Sequence, residues 1–72
     1  MDAPPAVGFS GNDLRAARVA RGIRADDLAP YLDMTAFGVR RLERLGAVGP
    51  ADVARYFEAI ARAVSFSRAG AL

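Results

Sequence analysis

The punctuation of this 72-residue chain constrains its fold more than any other feature. Gly22, the run Asp33-Met34-Thr35 and the segment Gly46 to Pro50 interrupt it at three places. Between these interruptions apolar residues recur every three or four positions, the spacing of one helix face, not the alternation of a strand. The fold this predicts is all-α, a bundle of four to five short helices. A chain of this size buries only about 60% of the surface its unfolded form exposes, so it has room for one simple core.

The segments can be placed from their ends. Met1 to Gly8 carries Pro4, Pro5 and Gly8 and reads as a flexible arm, leaving 9–64 as the folded domain and 65–72 as a C-terminal tail. Ser10 followed by Asp13 resembles a capping box that opens the first helix, and Gly22 supplies the left-handed residue that ends it. Asp26 to Leu32 is a second, short helix with an acidic first turn, in which Pro30 predicts a kink or an irregular turn. Thr35 is a good N-cap, and Thr35 to Leu45 reads as a third helix with Val39 and Leu42 inward. Pro50 fits the first turn of a fourth helix, along which Val53, Phe57, Ile60 and Val64 keep a three-to-four spacing.

Residue types narrow the chemistry. The chain has no cysteine and no histidine, which removes disulfides, thiolate and imidazole metal sites, and nucleophile–histidine pairs. Lysine is also missing and no paired-carboxylate cleft can be read, so neither an enzyme nor a cofactor is expected. The start of the chain has neither the basic end nor the apolar run of a secretory signal, and no segment is long and apolar enough to span a membrane, so a cytoplasmic protein is expected. All ten basic residues are arginine, against a net charge of only +2. Arginine grips phosphate and guanine with planar donors, and GC-rich coding produces the same enrichment, so position must decide its meaning.

Position does favour one use. Two short helices joined by a tight turn, the second basic on its outer face, can set one helix in the DNA major groove. The residues from Leu14 to Ile60 resemble the phage repressor and Cro family, in order and in spacing. Leu14, Arg18 and Gly22 match its first helix. Ile23, Asp26, Asp27, Leu28 and Ala29 match the entry into its second. Met34, Thr35, Val39 and Glu43 match its recognition helix. The resemblance implies a lambda-repressor-like bundle containing a helix-turn-helix, and a structural ion pair between Arg18 and Glu43. Three positions depart from the family pattern: Ala25 stands where a phosphate-reaching glutamine is frequent, Asp33 where the turn glycine is usual, and Leu45 where a glycine is expected, with Gly46 following.

The resemblance places Thr35, Ala36 and Phe37 at the end of the recognition helix that meets bases, with Arg41 one turn inward as the candidate for a bidentate guanine contact. Ala36 and Phe37 offer only apolar contact to thymine methyls; alternatively Phe37 packs on the second helix or on a partner subunit. Arg24, Arg40 and Arg44 are placed for phosphates, and Thr35 can reach one while capping. Gly38, inside a helix, marks close approach either to DNA or to the second helix. Arg55, Arg62 and Arg68 read as solvent-facing.

One recognition helix reads too few base pairs to find a site in a genome, so a homodimer on a double-stranded DNA operator is expected, acting as a transcriptional repressor. Tyr56, Val64, Phe66 and Leu72 are candidate dimer contacts; Tyr56 and Phe66 alternatively complete the monomer's own core. A second class of function stands beside this one: a protein-interaction module, antitoxin-like or anti-repressor-like, whose main partner is another protein. Low net charge and Ala25 favour it. A regulatory protein partner is compatible with both.

Overall fold

The computed structural model describes the backbone over residues 8–70 and side chains over 8–66. Within these residues the chain is all-α, a small bundle of α1 (Gly11–Ala20), α2 (Ala25–Leu32), α3 (Ala36–Leu42) and α4 (Pro50–Gly70). Among the described residues one β-type contact is present, an isolated antiparallel bridge between Phe9 and Val48. No helix among the described residues is long and apolar enough to cross a membrane.

Each helix starts and stops for a local reason. The Ser10 hydroxyl accepts from the Asp13 amide at 3.2 Å and the Asp13 carboxylate accepts from the Ser10 amide at 2.9 Å, so aspartate completes the expected capping box. α1 ends at Gly22, whose φ of +68° is the left-handed conformation. α2 ends at Asp33, also left-handed at φ 56°, and the Met34 amide then reaches back to the Ala29 carbonyl at 3.2 Å. Thr35 caps α3 by accepting from the Gly38 amide at 3.1 Å.

Four expectations about the elements need correction. α2 begins at Ala25 and runs unbroken through Pro30. That proline sits exposed in the last turns, and the carbonyl it leaves without a donor belongs to exposed Asp26. α3 is shorter than Thr35 to Leu45: the amides of Arg44 and Leu45 turn back three residues, to Arg41 and Leu42, which tightens and closes the helix. The presumed tail 65–72 is helical as far as Gly70, since nothing in 65–69 breaks a helix. Lastly, the inner face of α4 is rotated, so that Tyr56, Ala59, Ile60 and Ala63 are buried while Phe57 lies at the edge, its ring 5.5 Å from Phe9 in an edge-on contact.

The core is centred on Leu14, Leu28, Val39 and Tyr56, one from each helix and all fully buried. Burying side chains of this size stabilises by about 1.5–3 kcal/mol each. Ala25 and Ala29 on α2, with Ala59 and Ala63 on α4, are also buried; their small side chains let backbones approach. Beside this core Gly11 lies close against the backbone that closes α3. A Cβ on it would lie 2.5 Å from the carbonyl oxygens of Leu42 and Glu43, and its amide donates to the Leu45 carbonyl at 2.8 Å. The start of α1 is thereby set directly against the end of α3.

Candidate nucleic-acid interface

α3 is held from inside by Val39, fully buried, and by Leu42, half-buried. The opposite side then carries Phe37, Arg40, Arg41 and Arg44, at positions i, i+3, i+4 and i+7, and all four are exposed. Phe37 is 67% exposed, which rules out its packing on α2. Ala36 needs correction: it is half-buried and packed against the core, so it presents little of itself outward. Thr35 is exposed. Its oxygen is used in capping, which leaves its hydroxyl proton available to an outside acceptor.

The arginines differ in how committed they are. Arg24 donates to the Asp27 carboxylate at 3.1 Å. This hydrogen bond raises the pKa of Arg24 and is the main reason that of Asp27 is lowered. Arg40 is 3.9 Å from Asp26, a long and solvent-exposed pairing that contributes little. Arg41 and Arg44 have no carboxylate within ion-pair distance among the described residues. The guanidinium donors of the stripe are therefore largely available to an external anion.

Beneath the stripe, Glu43 anchors the end of α3. Arg18 grips it with two hydrogen bonds, Nε to Oε2 at 2.7 Å and Nη2 to Oε1 at 2.9 Å, and donates a third to the Ile23 carbonyl at 2.8 Å. Tyr56 donates its hydroxyl to Glu43 Oε2. Burial alone opposes a charged Glu43, but the hydrogen bonds from Arg18 and Tyr56 outweigh it and hold the carboxyl below the ordinary range. The bond to Glu43 also raises the pKa of Arg18, against the cost of burial. For the Tyr56 phenol, burial and then the neighbouring carboxylate push its pKa well up.

Of the two readings of Tyr56, the structure gives the core one: it is fully buried in its own chain, which corrects its assignment as a dimer contact. Sequence reasoning paired Arg18 with Glu43 and missed the third member, because the three-to-four spacing on α4 pointed to Phe57. Arg55 was read as merely solvent-facing; it donates to the Leu32 carbonyl at 3.2 Å, capping the end of α2. Arg62 pairs with Glu58 on the surface at 3.3 Å. The side chain of Arg68, and Leu72 altogether, lie outside the described residues. A Cβ at Gly38 would meet Met34 at 3.4 Å, an ordinary contact, so packing within the chain does not require glycine there. Comparison with protein-family models, with curated proteins and with solved structures gave no match.

Proposed function

We propose that this chain is a sequence-specific double-stranded DNA-binding transcriptional regulator, a repressor that works as a homodimer and inserts α3 into the major groove. In this reading α2, the turn through Asp33 and α3 form the helix-turn-helix of a lambda-repressor-like bundle. The observation that carries it is the exposed stripe of Phe37, Arg40, Arg41 and Arg44 on a helix whose opposite side is fixed by Val39 and Leu42. The major groove, about 12 Å wide, admits one helix, and the stripe combines donors for guanine and phosphate with an apolar surface for thymine methyls. Arg41 pairs with a guanine, Thr35 and Phe37 contact neighbouring bases, and Arg40 and Arg44 take phosphates. Arg24 is the weakest of the phosphate candidates, because it must leave Asp27.

The test is binding of the purified protein to duplex DNA from upstream of its own gene, followed across a salt titration. Contacts to several phosphates make the logarithm of affinity fall linearly with the logarithm of salt, with a slope near −0.9 per phosphate. A protein that ignores duplex DNA even in dilute buffer ends the proposal. The rival reading, a protein-interaction module, draws support from Ala25, which is buried and reaches no phosphate, and from exposed Phe37. A partner docked on that surface would hold with little dependence on salt.

A further inference from the structure

We propose that the cleft between the C-terminal turns of α4 and the α1–α2 side of the bundle seats a second copy of this chain, docked about a two-fold axis that passes beside Phe66. The inference rests on the reading above for its purpose, the pairing of two recognition helices, and on the following geometry for its place.

α4 is much longer than the helices it packs on. Its 21 residues span about 31 Å, against about 12 Å for the eight residues of α2. Among the described side chains of α4 the last buried one is Ala63; Val64 is half-buried and Phe66 is 69% exposed. Ala63, Val64 and Phe66 of α4 line an open cleft of about 620 Å³, together with Ile23 and Tyr31 from the α1–α2 side. That volume is within the range of about 300–1,000 Å³ typical of sites that enclose a whole drug-sized ligand, so it accepts a cluster of side chains and not one alone.

Cleft and projecting ring lie on the same face, because Phe66 itself lines the cleft. A surface that carries both a knob and its socket is self-complementary, the condition for an isologous two-fold contact. Charge follows the same pattern. Arg21, on the cleft, has no carboxylate partner among the described residues, while Asp26 and Asp27 line the same cleft with only solvent-exposed pairings. In the two-fold arrangement Arg21 of each copy faces the acidic pair of the other, and Phe66 enters the partner's cleft as the buried aromatic anchor. Of the candidate dimer contacts, Val64 and Phe66 fall on this surface and Tyr56 does not.

Sedimentation equilibrium without DNA tests this. The wild-type chain is expected to be a dimer at about 100 μM, with the monomer growing on dilution by mass action. Phe66→Ala removes an exposed ring, so helicity should hold while dimerisation weakens by about tenfold or more. Arg21→Asp should also weaken it, and Arg21→Asp combined with Asp26→Arg should restore it. A wild-type monomer, a dimer indifferent to Phe66→Ala, or a double variant no better than Arg21→Asp alone overturns the proposal. A monomer that takes an apolar dye into the cleft assigns it to another occupant and overturns it equally. Duplex binding, measured separately, keeps the two readings apart: a dimer that ignores DNA leaves this surface standing, and a monomer that binds a half-site leaves the DNA reading standing.

Discussion

Tyr56 donates its phenolic hydrogen to Glu43 Oε2, the oxygen that also receives Arg18 Nε. One buried carboxylate on the chain just after α3 is thus held from α1 and from α4 together. Removing either donor leaves charge in a dry site without its full set of partners, and this sets the size of the effects below.

Tyr56→Phe keeps the ring and deletes one hydrogen bond to a charged group, so it should cost about 1.5–3 kcal/mol of stability. Arg18→Met strands the Glu43 charge and should cost about 3–5 kcal/mol. Urea denaturation of both variants checks this order; a Tyr56→Phe protein as stable as wild type would remove the phenol from the network.

Stability should depend on pH at both ends of the scale. The folded pKa of Glu43 is depressed, so its contribution is complete above the unfolded value, near 4.3, and is lost as pH falls through the folded one. The folded pKa of Tyr56 is raised, so its contribution is complete below the unfolded value of about 10 and is lost as pH rises toward the folded one. Melting temperatures across pH should decline at each extreme, and in Tyr56→Phe the alkaline decline should shrink. An alkaline profile identical in the two proteins would contradict the assignment.

Two glycines should respond oppositely to alanine. Gly11→Ala drives a methyl into the carbonyls of Leu42 and Glu43 and should cost about 1–3 kcal/mol. Gly38→Ala has room and improves helix propensity, so it should stabilise by up to about 1 kcal/mol. Under the proposed function the added methyl at Gly38 lies on the helix that enters the groove and should weaken DNA binding while the protein becomes more stable. Calorimetry with a duplex-binding titration reads both quantities.

Arg41→Ala should leave the melting temperature within experimental error, because the side chain is exposed and makes no ion pair among the described residues. Under the proposed function its effect is expected on discrimination between an operator and a base-substituted operator, by about 1–3 kcal/mol. Under the same reading Arg44→Ala should instead weaken all duplexes alike and reduce the salt slope by about one contact. Unchanged discrimination in Arg41→Ala would sink the guanine assignment.

Much of the fold could be read from residues whose effect is local. Ser10 with Asp13, Gly22, Asp33 and Thr35 each act on backbone within a few positions, and each does in the structure what its type implies. The pairing of Arg18 with Glu43 was legible only through a family resemblance, since nothing in a 25-residue separation announces a contact. What sequence reasoning missed depends on tertiary placement. The rotation of α4 that buries Tyr56 instead of Phe57 follows from which neighbours offer a hydrogen-bond acceptor and which offer an edge. Gly11 carries no local signal of its role, because the backbone it meets comes from more than thirty positions away. Pro30 does not break α2 as its type suggests: the carbonyl it leaves without a donor belongs to Asp26, which is exposed to solvent.

The Gly11 contact also matters for how such a chain can diversify. Because main-chain atoms of α1 and of the segment closing α3 touch directly, α3 is set by that backbone contact and by the buried side chains beneath it, and of the exposed stripe only Arg40 adds a pairing, the long one to Asp26. Positions 37, 40, 41 and 44 can be rewritten as a group while the scaffold beneath stays put. A library randomised at these four sites should fold nearly throughout and differ in what it recognises.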